Sequence, residues 1–195
     1  MAQAPDRVLT RLLRHGGAGL AMDAAGYVPI ADMLARVRID RPTLDRLVAE
    51  NGKQRLQVDG DRIRCCQGHS LEGTPVTREA LEASWAPFTG AGPIWHGTSL
   101  DALPGIDAEG LLPQRRTHVH LAEGLASVVG KRANVAVMLA VDPGRLAAHG
   151  LGVFRAPNGV LLVRQVPRDC IVGARPMTRA AEAARAGLTA TFGVA

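Results

Sequence analysis

Aromatic side chains are scarce in this 195-residue chain, at 3% of residues, so a surface that stacks many bases is not expected. Cysteine is scarce too: Cys65, Cys66 and Cys170 are an odd number with one adjacent pair, which excludes a disulfide framework and fits a reducing compartment, the cytoplasm. The four-ligand spacing of a structural zinc site is missing, and no metal is expected. No apolar run reaches 18 residues, so no membrane span is expected, and MAQAPDRVLT lacks the apolar stretch of a secretory signal. Lysine is nearly absent: Lys53 and Lys131 stand beside 21 arginines.

What is present is a basic chain of net charge +5 with 47% hydrophobic residues, enough for a core. The charge is compatible with a polyanionic partner, and arginine suits bidentate phosphate recognition, although an Ala- and Arg-rich composition also follows from codon bias. In DRVLTRLLRHGG, Val8, Leu9, Leu12 and Leu13 share one helical face. ADMLARVRI reads as a second helix, and RPTLDRLVAENG as a third with Asn51-Gly52 as its C-terminal cap. RLQVDGDRIRCC alternates around Asp59-Gly60 and predicts a hairpin. Helices followed by a hairpin make a winged-helix-like lobe. The Pro- and Gly-containing stretch from Glu72 to Pro93 reads as a hinge. Beyond it come short strands: PIWHGTS, THVHLA, NVAVMLAVD, GVLLVRQVP and DCIVGARP, with LDALPGIDAEG as a helical piece and RAAEAARAGLTA as a surface helix or frayed end. The expected fold is α+β, with an N-terminal lobe over 1–85 and a strand-rich lobe over 86–195.

Four strings crowd polar groups beside glycines. Arg14 and His15 end the first helix, where two cations also complement the helix dipole. In IRCCQGHS, Arg64 ends a strand and Gln67, Gly68, His69 and Ser70 form a loop suited to a phosphate or sugar, or simply a polar turn. In WHGTS, His96, Gly97 and Thr98 end an apolar strand; further on, His118 and His120 share a strand face without an evident third metal ligand. Lys131 and Arg132 precede a buried-looking strand and read alone as loop charge.

In this order the strings resemble the RNA 2′-phosphotransferase family. The resemblance covers nearly the whole chain: LLRHG with GLAMDAAGYVPIADML, then IRCCQGHS, WHGTS, the stretch GLLPQRRTHVHL and FRAPNGVLLVRQVP. It implies a winged-helix RNA lobe and an NAD-binding lobe related to ADP-ribosyltransferases. It implies a two-step reaction on RNA bearing a 2′-phosphate, from tRNA splicing or RNA repair. The phosphate attacks the nicotinamide ribose of NAD, nicotinamide leaves, and transesterification yields 2′-hydroxyl RNA and ADP-ribose 1″,2″-cyclic phosphate. The family's catalytic group maps onto Arg14, His15, Arg64 and Arg132, with those arginines expected at a cleft between the lobes. Its NAD-binding blocks map onto His96, Gly97, Thr98, His120, Asn158 and Gly159, and Gln67, Gly68, His69 and Ser70 are expected near the RNA phosphate. Cys65-Cys66 replace the family's usual Ala-Asn, which removes a hydrogen-bonding amide beside the loop and leaves the catalytic group intact. A monomer is compatible with the two-lobe plan. Two other readings stand beside this one: an ADP-ribosyltransferase acting on other phosphate acceptors, such as RNA or DNA ends, and a winged-helix nucleic-acid binder without activity.

Overall fold

A computed structural model describes residues 5–17, 19–127, 129–130 and 135–195; Lys131 and Arg132 lie outside the described residues. The chain is α+β, with antiparallel strand pairing throughout its named sheets. It divides into two compact units: the first takes residues 1–86, 114–117 and 156–158, and the second takes the rest. No helix among the described residues is long and apolar enough to cross a membrane.

The first unit contains helices α1 (Pro5–His15), α2 (Ile30–Val37), α3 (Arg41–Ala49) and α4 (Arg78–Ala83), and strands β1 (Val28–Pro29), β2 (Leu56–Asp59) and β3 (Arg62–Cys65). The apolar stripe of α1 is its core face, with Leu9 and Leu13 fully buried. They pack with Val28, Met33, Leu44, Ile63 and Cys65. Asp40 caps α3 by accepting from the Thr43 amide at 3.0 Å. The far end of α3 differs from expectation. Glu50 is the cap, and Asn51 instead turns its Oδ1 to accept from the Arg55 amide at 3.1 Å, bringing the chain into β2. The hairpin turns at Gly60, whose φ of +59° suits the tight connection, and Val28 of β1 adds to β3 opposite Ile63. The stretch read as a hinge contains α4, capped by Thr77, with Leu81 fully buried and Trp85 nearly so. Its prolines flank those apolar residues rather than interrupting them.

The second unit contains β4 (Ala86–Pro87, where the chain leaves the first unit), β5 (Ile94–Thr98), α5 (Leu103–Glu109), β6 (Val119–Leu121), β7 (Val137–Val141), α6 (Pro143–Ala148), β8 (Phe154–Arg155), β9 (Leu161–Val163), β10 (Ile171–Pro176), α7 (Arg179–Ala183) and α8 (Arg185–Phe192). One sheet has the order β10–β7–β5 and the other β4–β8–β9–β6. Every residue of β7 is buried, which explains the unbroken apolar run there. Paired 2.8 Å bonds between the backbones of Trp95 and Ala122 bring β5 against the end of β6. The tail is not a frayed surface helix. It breaks after Ala183 into α7 and α8, whose Ala181, Leu188 and Phe192 enter the core, because apolar residues recur there at helical spacing.

Candidate active site

The C-terminus of α1 meets the loop over residues 66–70. Arg14 donates from Nε to the Gln67 carbonyl at 3.0 Å and from Nη2 to Gln67 Oε1 at 3.2 Å. One residue thus clamps one edge of the guanidinium, while Nη1 bonds no described residue. Gly68 has φ +89°, and a Cβ there would lie 2.9 Å from Arg14 Nε. Glycine therefore both permits the turn and gives the guanidinium its place. The Ser70 amide donates to the Arg14 carbonyl at 2.9 Å, and Ser70 Oγ lies 2.8 Å from His15 Nδ1. Arg116 pairs with Ser70 through an isolated bridge, joining residues 114–117 to this loop.

The charges acting on His15 are all positive. Partial burial, then Arg14, Arg116 and Arg11, push its pKa below the usual 6.5. His15 is therefore neutral at pH 7. His69 is fully buried, and its ring fills the space that a Cβ on Gly26 would claim at 2.5 Å from Nε2. Its carbonyl accepts from the Thr117 amide at 3.0 Å, so His69 ties the loop to two other segments.

Arg64 is 1% exposed, yet it ends in polar company. Nε donates to Gln57 Oε1 at 2.8 Å, and Nη1 donates to Ser84 Oγ at 2.7 Å and to the Ala25 carbonyl at 3.1 Å. Its guanidinium stacks 4.4 Å over the Tyr27 ring. As with Arg14, one terminal nitrogen, here Nη2, bonds no described residue. Beside Cys65-Cys66, Gln57, Ser84, Ala25 and Tyr27 hold Arg64. The thiols do other work: Cys66 donates to the Gln54 carbonyl at 3.3 Å and Cys65 to the Thr10 carbonyl at 3.6 Å. Burial pushes their pKa values up to about 11 and about 12, respectively.

In the second unit, β5 and β6 bring His96 and His120 together: His96 Nδ1 lies 3.1 Å from the His120 carbonyl. A carbonyl only accepts, so Nδ1 carries a proton. Thr98 is buried at the end of β5. At Gly97 a Cβ would lie 2.6 Å from Val135 Cγ2, so packing alone already asks for glycine there. Gly159 takes φ +81° in the turn before β9, with no contact closer than 3.8 Å to such a Cβ. Asn158 is grouped with the first unit and donates from Nδ2 to the Lys53 carbonyl at 3.3 Å.

Arg116 is the fixed arginine of the GL-x-P-x-x-R-x-HVHL stretch, but no local pattern predicts its pairing with Ser70. One cluster escaped the sequence reading. His149, Asp169 and Cys170 place possible metal-ligand atoms within 4.8 Å of one another. However, His149 Nε2 already pairs with Asp169 at 2.8 Å, and the Cys170 thiol is pushed up to about 11, chiefly by burial.

The model of the family described as RNA 2′-phosphotransferase, Tpt1 / KptA family, matches residues 4–165. A Burkholderia lata protein named as a probable RNA 2′-phosphotransferase is 40% identical, over 85% of this chain and 90% of its own length. Proteins of the same name from Agrobacterium fabrum and Pyrobaculum aerophilum are 35% and 30% identical, over 86% and 85% of this chain and 91% and 78% of their own lengths. With the match running from before α1 to beyond β9, the chain belongs to the RNA 2′-phosphotransferase family.

Proposed function

We propose that the protein is an NAD-dependent RNA 2′-phosphotransferase that removes a 2′-phosphate from RNA. The observation that carries the reading is the pair of half-clamped arginines. Arg14 and Arg64 are each fixed along one edge by uncharged acceptors and keep a terminal nitrogen uncommitted to any described residue. Fixed, permanently charged donors of this kind suit a phosphoryl group whose charge changes during transfer. Arg132 completes the proposed catalytic set, by resemblance to the family. Helices α1 to α3 and the β2–β3 hairpin of the first unit support a winged-helix-like RNA lobe. The short antiparallel strands of the second support an ADP-ribosyltransferase-like lobe.

The residues of the second unit fit NAD as co-substrate. His96 is the proposed partner of a ribose hydroxyl by resemblance to the family, Thr98 stands two residues on along the same strand, and Gly159 leaves open space at its turn. NAD supplies the electrophilic ribose carbon and the neighbouring hydroxyl to which the phosphate passes. In the first unit, Arg14 and Arg64 bind and orient the phosphate oxygens. Ser70 fixes the His15 ring, and neutral His15 accepts a proton at its free nitrogen. Gln67, Gly68 and His69 keep this cluster in place. RNA carrying the 2′-phosphate is the proposed partner, and a cytoplasmic monomer is the proposed state.

The test is incubation with NAD and an RNA bearing one internal 2′-phosphate. The expected products are 2′-hydroxyl RNA, nicotinamide and ADP-ribose 1″,2″-cyclic phosphate. Accumulation of stable ADP-ribosylated RNA would point instead to an ADP-ribosyltransferase. Intact substrate and NAD in the presence of folded protein would overturn the proposal.

A further inference from the structure

Upstream of Arg14, the same face of α1 carries Arg11 and Arg7, at helical spacings of three and four. With Thr10, His15, Asp6 and Arg55, which enters from the start of β2, they line an open groove of about 220 Å³. Four arginines thus face one carboxylate. None of the four makes an ion pair with a described residue. Exposed arginines elsewhere do: Arg41 with Asp45, Arg62 with Asp23, Arg155 with Glu123 and Arg185 with Glu182. The groove also has no aromatic lining, so it offers charge without a stacking platform.

We propose that this groove carries the phosphodiester backbone of the RNA on one side of the 2′-phosphorylated nucleotide. The proposal rests on the reading that Arg14 and His15 receive the 2′-phosphate. From Arg7 to Arg14 the helix rises about 10 Å, enough to run beside two or three successive phosphates of one strand. Guanidinium groups recognise phosphate oxygens, and nothing in the groove reads a base edge. Recognition of the flank is therefore electrostatic and indifferent to its sequence. It sets how long an RNA must be for tight binding, while the chemistry at Arg14 and His15 is unchanged.

Three RNAs with one internal 2′-phosphate distinguish the outcomes: a minimal one, one extended to the 5′ side and one extended to the 3′ side. The variant is Arg7→Ala/Arg11→Ala, assayed at pH 8, where His15 stays neutral with or without Arg11. The expected result is a rise of about tenfold or more in KM for one extended RNA. For the minimal RNA, kcat and KM stay within about twofold. The slope of log affinity against log salt should fall by about 1.4, the value for two phosphate contacts on a single strand. Arg7→Lys/Arg11→Lys should restore most of the affinity, and changing the flanking bases should leave it alone. Equal losses on all three RNAs, or no loss on either extended one, would overturn the proposal. If wild-type protein turns over no RNA yet binds the extended RNA with the same arginine-dependent salt slope, the groove stands and the enzymatic reading falls.

Discussion

His15 shows how much one residue owes to its neighbours. Its position at the end of an amphipathic helix is plain in LLRHGG, but its protonation depends on burial first, then on Arg14 and on Arg116, which is about a hundred residues away in the chain. The fold favours the neutral ring, so protonating His15 costs native stability. That contribution is fully present above the unfolded pKa near 6.5 and is lost as pH falls through the lower folded value. An NMR titration of the ring should therefore give a midpoint below 6.5, and Arg116→Ala should move it back upward. A midpoint at or above 6.5 in the folded wild type would refute this account. Gly68 and Gly97 make the complementary point. Both sit in strings that suggest a ligand, yet the missing Cβ makes room for Arg14 at one and for Val135 at the other. Sequence spacing marked both positions, and only tertiary contact separates their roles.

Among the elements, α1 has two jobs. One face holds Leu9 and Leu13 in the core, and its end carries Arg14 and His15. Leu13→Ala should cost about 2–5 kcal/mol, from lost burial and the cavity left behind. Cys65 packs in that same core, whereas Cys170 lies in the core of the second unit. In the folded wild type, buried thiols with raised pKa values should resist alkylation. In Leu13→Ala, Cys65 and Cys66 should become labelled before Cys170, as read by mass spectrometry of peptides. Simultaneous labelling of all three would refute it. The helix and the β2–β3 hairpin were readable in advance because their signals are local: a 3.6-residue apolar period and an Asp-Gly turn. The role of α4 was obscured by Pro75 and Pro87 around a six-residue helix whose stability comes from burying Leu81. The separation of Asn158 from Gly159 was equally hidden, since adjacent residues enter different units only through long-range packing.

Over the whole chain, the net charge of +5 is unevenly spent. Many exposed arginines are neutralised by carboxylates three or four residues away or brought to them from a distant loop. Arg7, Arg11 and Arg14 on α1 form no ion pair with a described residue. There, Arg11 and Arg14 bear on His15, and Gln67 rather than an acid holds Arg14. The cations crowded there act on the folding equilibrium as an unfilled counterion site. Any anion that settles among them favours the folded chain by mass action, with a gain of about 2.7 kcal/mol when it is present at a hundred times its dissociation constant. Inorganic phosphate should thus raise the melting temperature above that in chloride of equal ionic strength, and Arg14→Ala should abolish the difference. Equal melting temperatures in the two salts would remove the basis for this view. The ligand and the fold are then thermodynamically linked: α1 is most firmly held when its end is neutralised, so occupancy by substrate also protects the protein from unfolding.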